Sequence, residues 1–144
     1  MAGGPMNSAL EALAQKYGIR DALLEAVGLS HEQLEALYSG ALALLFPSLE
    51  EGFGWPILEA QACACPVVTT DRAPMNEVAG GAAILIDPSQ PEAAARAIAD
   101  GLRDTTRLRS DGLRNAASYT AERMFDQCEM LYRETATAAC MQRQ

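Results

Sequence analysis

Ala41-Leu42-Ala43-Leu44-Leu45-Phe46-Pro47-Ser48-Leu49-Glu50-Glu51-Gly52-Phe53-Gly54-Trp55-Pro56-Ile57-Leu58-Glu59-Ala60 is the stretch on which the fold turns. Its first six residues are an unbroken apolar run and predict a short buried strand. Pro47 stops that strand, because proline has no N–H to give to a ladder. Gly52 and Gly54 are read together as positions where the backbone takes positive φ and a ligand can come close. Pro56 stands where a first helical residue would, and Ile57-Leu58-Glu59-Ala60-Gln61-Ala62 continues as helix. Strand, glycine turn and helix start follow one another, with carboxylates at Glu51 and Glu59. Free N–H groups at such a helix start attract phosphate.

Working outward, strands alternate with helices. Asn7 or Ser8 caps an expected helix through Tyr17, with Leu10, Leu13, Ala14 and Tyr17 on one face and Gly18 as its stop. Residues 22–27 form a weak strand candidate interrupted by Glu25. Ser30-His31-Glu32-Gln33 has capping-box spacing and opens a helix with Leu34, Leu37 and Tyr38 inward. Beyond the glycine turn, Cys65-Pro66-Val67-Val68-Thr69-Thr70 is rich in β-branched residues and predicts another strand. Met75-Asn76-Glu77-Val78 fits one helical turn, and Ala82-Ala83-Ile84-Leu85-Ile86 a last strand closed by Asp87-Pro88. Ser89 and Glu92 suggest a second capping box before a helix over residues 93–102. Two further helices are expected over residues 106–119 and 121–138. The alternation predicts an α/β fold: a partial Rossmann-like parallel sheet of about four strands with flanking helices, binding ligands at the strands' carboxyl ends.

Composition narrows the function classes. The 144 residues suit a single domain spanning 1–144, and 49% hydrophobic with 21% charged residues describes a globular chain. A net charge of −8 opposes binding to nucleic acid, whose phosphates require a basic face. No apolar run reaches membrane-spanning length, and the first residues lack a signal peptide's basic start, so a cytoplasmic location is expected. Cys63, Cys65, Cys128 and Cys140 show no Cys-x-x-Cys pair, and His31 is the only histidine. Reduced thiols are therefore expected, without a zinc site.

Glu51-Gly52-Phe53-Gly54-Trp55-Pro56-Ile57-Leu58-Glu59-Ala60, followed by Ala62-Cys63-Ala64-Cys65-Pro66-Val67-Val68, resembles the Glu-x7-Glu signature of GT-B-fold retaining glycosyltransferases of the group 1 type. That nucleotide-sugar-dependent family contains sucrose synthase-like and bacterial cell-surface sugar transferases. Leu37-Tyr38-Ser39-Gly40-Ala41, Asn76-Glu77-Val78-Ala79-Gly80 and Ile86-Asp87-Pro88 agree with it, and the resemblance runs from about Gly3 to about Tyr132. It implies half of a GT-B fold, the donor-binding portion. The substrate would be a nucleotide-diphosphate sugar, with no cofactor and no metal. By the same resemblance Glu51 is the catalytic candidate and meets the donor sugar's hydroxyls. Gly52, Phe53, Gly54, Trp55 and Pro56 surround the diphosphate, which the amides of Phe53, Gly54 and Trp55 hold. Glu59 accepts from the ribose diol. The division is electrostatically sound, since carboxylates repel phosphate and pair with hydroxyls while the helix dipole takes the negative charge.

The resemblance also implies what is lacking: the acceptor-binding domain, the first two strands of the donor domain and a basic pair on them. The first strand is then expected to pair beside residues 41–46, to hang free, or to be completed by another chain. That other chain is a second copy, or a partner supplying the acceptor domain. A non-catalytic nucleotide-binding or assembly module is the alternative function. Other roles stay open for single residues. Glu59 alone could complement a helix start, Trp55 could pack or stack, and Glu77 could orient a loop or cap a helix. The two carboxylates could serve as a glycosidase pair, although both flank one helix start. His31 is expected at the surface and Cys63 and Cys65 as apolar filler. Arg103, Arg107, Arg109 and Arg114 are expected on solvated faces, and Tyr119, Met124, Phe125, Leu131 and Tyr132 in the core.

Overall fold

The computed structural model describes residues 3–141, with side chains through residue 135. The chain forms two compact units, Met1–Leu37 and Tyr38–Gln144. In the first, helix α1 spans Ser8–Lys16, and the Asn7 side chain caps it by accepting from the Leu10 amide at 2.9 Å. Gly18 ends it at φ +65°. A single 3-10 turn, Arg20–Ala22, follows. Residues 22–27 do not form the expected strand: Ala26 makes one isolated bridge, and the Gly3 amide donates to its carbonyl at 3.1 Å. Arg20 takes over the organising role that a ladder would have had. Its guanidinium reaches Glu11 at 2.8 Å on α1, Glu25 at 3.3 Å and the Leu23 carbonyl at 3.1 Å.

Helix α2, His31–Gly40, crosses from one unit into the next. Its capping box is reciprocal: the Gln33 amide donates to Ser30 Oγ at 3.3 Å and the Ser30 amide to Gln33 Oε1 at 2.9 Å. Leu34 and Tyr38 are half-buried, whereas Leu37 is exposed.

The second unit is built on a parallel sheet of three strands, β1 Leu44–Phe46, β2 Val67–Thr70 and β3 Ala83–Ile86, in that spatial order. The sheet thus has one strand fewer than the sequence suggests, because residues 22–27 contribute none. Leu44, Leu45 and Phe46 face Val67, Val68 and Thr69, and Val67 through Thr70 face Ala83 through Ile86. The central strand is buried at all four positions, which explains its unbroken Val-Val-Thr-Thr reading. Helix α3, Trp55–Ala62, links β1 to β2, and the single turn α4, Met75–Val78, precedes β3. Ile57, Leu58 and Ala60 of α3 pack with Cys65, Val67, Met75, Val78 and Ala79 as the main core. Full burial of a side chain such as Ile57 contributes about 1.5–3 kcal/mol.

On the other face Val68 and Ile86 meet Ala94 and Ile98 of α5, Pro91–Gly101. Gly101 lies so close to β3 that an added Cβ would sit 2.5 Å from Ile84 Cδ1. Ser89 does not cap α5. Its amide and hydroxyl both donate to Asp87, at 2.9 and 2.7 Å, making a turn before the helix. Helix α6, Thr106–Ala117, lies on α3, with Gly112 against the Gln61 side chain. Helix α7, Ala121–Met141, is exposed throughout its described side chains. Met124, Phe125, Leu131 and Tyr132 are therefore surface residues rather than core, and Tyr119 is 44% exposed. The Cys140 side chain lies outside the described residues.

Candidate functional site

Pro47 ends the β1 ladder, and two threonine hydroxyls of β2 replace the missing order. Thr69 Oγ1 donates to the Phe46 carbonyl at 2.9 Å, and Thr70 Oγ1 to the Ser48 carbonyl at 2.7 Å. Both threonines are buried, so their bonds fix the start of the loop after β1 in a low-dielectric setting. Ser48 then turns its hydroxyl to Glu51, 2.8 Å from Oε1, with the Glu50 carbonyl at 3.2 Å. Glu51 is exposed and oriented by this one contact.

Gly54 makes the entry to α3. It is the N-cap residue at φ 99°, ψ 41°, and no side chain caps the helix. A residue with a Cβ would be strained there, and the Cβ would lie 3.3 Å from Ile57 Cδ1. Gly52 differs from expectation, since it is not among the positive-φ residues and an added Cβ would meet open space. Only one of the two glycines is thus required by backbone geometry. The helix begins at Trp55, placing Pro56 one residue inside it. The amides of Phe53, Gly54 and Trp55 donate to no acceptor among the described residues. Three N–H groups and the positive end of α3 are therefore available at one place.

Aromatic rings border this place. Phe53 lies 4.8 Å from Trp55, centroid to centroid and tilted by 47°, and 6.0 Å from Tyr119 edge-on. Trp55 is 63% exposed, so it borders the turn and does not fill the core. Tyr119 joins the cluster through the α6–α7 connection, a contact that helical periodicity does not reveal.

Glu59 sits half-buried on the second turn of α3. Tyr38 of α2 donates its hydroxyl to Glu59 Oε2 at 3.2 Å. Burial, then the charge of Glu59, pushes the Tyr38 phenol up to about 12, so it remains a donor at neutral pH. Sequence reasoning assigned no site role to Tyr38, Ser48 or Thr70. Their signals were the place of Tyr38 on the face of α2 expected to point inward and in the stretch Leu37-Tyr38-Ser39-Gly40-Ala41, and the small hydroxyl residues beside Pro47 and at the end of β2.

The far end of α3 is held by buried polar contacts. Gln61, 1% exposed, donates to the carbonyls of Ala79 and Ala82 at 3.0 and 3.3 Å. Asn115 of α6 donates to Gln61 Oε1 at 2.7 Å and to the Val78 carbonyl at 2.8 Å. Arg109 closes the helix's carboxyl end, bonding the Ala64 carbonyl at 2.7 Å where Ala64 adopts φ 54°. It is not a solvated face residue as expected, unlike Arg103, Arg107 and Arg114, whose partners are nearby aspartates. Burial pushes the neighbouring Cys65 thiol up, while Cys63 is half-buried.

A parallel sheet whose first strand runs through an uncapped glycine turn into a helix start defines an α/β domain of the kind that takes ligands at its carboxyl edge. The chain belongs to the family described as "Glycosyl transferases group 1", whose model matches residues 1–124. It is 38% identical over 88 residues to the O-antigen chain mannosyltransferase B of Escherichia coli, covering 60% of this chain and 23% of that protein. With the D-inositol 3-phosphate glycosyltransferase of Corynebacterium urealyticum it shares 32% identity over 146 residues, 94% of this chain and 34% of the relative. Among solved structures, sucrose-phosphate synthase from Thermosynechococcus elongatus superposes with a TM-score of 0.76 at 26% identity, over 94% of this chain and 38% of that one. WaaG, a glycosyltransferase involved in lipopolysaccharide biosynthesis, superposes at 0.62 and 28% identity, over 82% and 32%. The chain thus spans about a quarter to a third of the length of these two curated relatives. Its fold is that of part of a GT-B-like glycosyltransferase. No helix among the described residues is long and apolar enough to cross a membrane.

Proposed function

We propose that this chain is the donor-binding portion of a retaining glycosyltransferase that uses a nucleotide-diphosphate sugar, in the cytoplasm and without a cofactor or metal. The N–H groups of Phe53, Gly54 and Trp55, with the dipole of α3, take the diphosphate, and Gly52 and Pro56 shape the turn around it. Glu51, oriented by Ser48, receives the hydroxyls of the donor sugar beside the bond that breaks. Glu59 receives the ribose diol. As the sugar departs through an oxocarbenium-like state, negative charge grows on the leaving diphosphate, where preorganised amides lower the barrier most. The single observation that carries this reading is the uncapped start of α3 at Gly54, with Glu51 before it and Glu59 one turn beyond.

Calorimetry with a panel of nucleotide-diphosphate sugars, a mannose donor included because of the mannosyltransferase relatives, tests it. Glu59→Ala should weaken binding by about 1–3 kcal/mol through loss of a charged hydrogen bond. Unchanged affinity would remove Glu59 from the site. A second reading, a nucleotide-binding or assembly module that needs a partner, is favoured by the outer edge of β1, which no strand among the described residues covers. Binding without donor hydrolysis or transfer would select it. Among the described residues β1 pairs only with β2, and Leu45 on β1 is 58% exposed. A partner bearing the acceptor half, or a second copy, would cover that edge. Sedimentation as a clean monomer of ordinary stability speaks against strand completion.

A further inference from the structure

We infer that Tyr38 is the positioning residue for Glu59: its hydroxyl holds one carboxylate oxygen so that the other is presented to a vicinal diol, which makes the site selective for ribonucleotides over deoxyribonucleotides. The inference rests on the proposed function and names the residue that sets the selectivity of its ribose subsite. The Tyr38 ring packs against the main core and is thereby fixed, while its hydroxyl reaches the half-buried Glu59 at 3.2 Å. The bond joins α2 to α3 across 21 residues of sequence and fixes the side chain of Glu59, which the helix whose start offers the phosphate-facing amides itself carries. A glutamate has three rotatable side-chain bonds, and a free one must be ordered each time a ligand binds. Tyr38 makes that ordering a property of the empty protein. Geometry also sets polarity. Tyr38 is a donor to Oε2, so Oε1 remains an acceptor with nothing to donate, matching a diol that supplies two O–H groups. A ligand lacking those hydroxyls gains nothing from Glu59 and leaves its carboxylate partly desolvated. Discrimination by a site built to hydrogen-bond a hydroxyl is correspondingly large.

The test compares wild type, Tyr38→Phe, Glu59→Ala and the double variant by calorimetry with UDP, GDP and ADP, their 2′,3′-dideoxy counterparts and inorganic pyrophosphate. Tyr38→Phe should weaken the ribonucleotide that binds best by about threefold to tenfold. It should shrink the ribo-to-dideoxy affinity ratio and leave pyrophosphate binding unchanged. In the Glu59→Ala background the same change should have no effect. Because the readout is a ratio measured on one variant, loss of stability in that variant cancels from it. If Glu59→Ala collapses the ratio while Tyr38→Phe leaves it intact, the inference is overturned and the ribose role of Glu59 stands. Equal weakening of ribonucleotide and pyrophosphate by Tyr38→Phe marks a packing role only and also overturns it. A ratio untouched by Glu59→Ala, or no nucleotide binding by wild type, overturns the reading of the site itself.

Discussion

Replacing Gln61 by methionine should destabilise the domain by about 2–3 kcal/mol. Methionine keeps the length and linear shape of the side chain, so packing against Gly112 is preserved and only the polar contacts are removed. Three hydrogen bonds disappear: two to the carbonyls of Ala79 and Ala82, and one from Asn115. Each is worth about 0.5–1.5 kcal/mol net, which sets an upper bound near 4.5 kcal/mol. Two of the abandoned groups keep another partner and lower the sum. The Ala79 carbonyl still accepts from the Ala82 amide at 2.9 Å, and Asn115 still donates to Val78 at 2.8 Å. Urea unfolding followed by far-UV circular dichroism and by the fluorescence of Trp55 gives the measurement. With a slope of about 1–3 kcal/mol per molar urea, the midpoint should fall by roughly 0.7–3 M. Asn115→Ala should be destabilising too, and the two effects should be less than additive because they share one bond. A loss below about 0.5 kcal/mol, or strict additivity, would show that the network does not hold α3 in place.

Three further outcomes follow from the same geometry. Gly54→Ala, forced to φ 99°, should cost about 1–2 kcal/mol in urea unfolding and abolish nucleotide binding, whereas Gly52→Ala should stay within about 0.5 kcal/mol. Arg109→Met removes a charged donor from the Ala64 carbonyl and should cost about 1–3 kcal/mol. Arg107→Ala, which breaks only an exposed pair with Asp111, should change stability by less than about 1 kcal/mol, and a reversed order of these two would refute the assignment of Arg109 as a helix stop. Tyr38 titrates near 12 in the folded chain against an ordinary value of 10.0, so its neutral form is the one the fold favours. That contribution is complete below about pH 10 and is lost as pH rises toward 12, so Tyr38→Phe should lose less stability than wild type over that window. Parallel alkaline unfolding curves for the two proteins would contradict it.

Much of the second unit was legible because its signals are local. The apolar run before Pro47, the β-branched run at 67–70 and the alanine-isoleucine run at 83–86 each mark a strand within a few residues, although only the central one is buried throughout and the strand before Pro47, expected buried, leaves Leu45 58% exposed. Helix starts with complementary side chains were equally readable, as Asn7 and Ser30 show. Failures fall where a local pattern had two uses. Ser89 and Glu92 have capping-box spacing, but Asp87 captures the serine first. Met124, Phe125, Leu131 and Tyr132 lie on an amphipathic pattern that is equally consistent with a buried face, and periodicity carries no information about whether anything covers it. Arg109 shares its composition with Arg103 and Arg107, yet only Arg109 finds a helix end within reach.

The contacts that orient the site were the least legible, and register explains why. Thr70 reaches Ser48 across 22 residues and Tyr38 reaches Glu59 across 21. Neither pairing follows from either residue alone. Once Phe46 is set against Thr69, Thr70 lies one step past the end of the β1 ladder, beside the place where Pro47 withholds its donor. The Thr70 hydroxyl there donates to the Ser48 carbonyl, which lies beyond the end of β1 and outside the ladder. A shift of one residue would bring Val68 opposite Phe46 and turn Thr70 away, leaving Ser48 unanchored and Glu51 without its guide. The functional loop is thus ordered by the register of a strand that holds none of the proposed ligand-binding residues. Substituting Thr70 by valine, which keeps the shape and deletes only the donor, should therefore loosen Glu51 without disturbing the sheet.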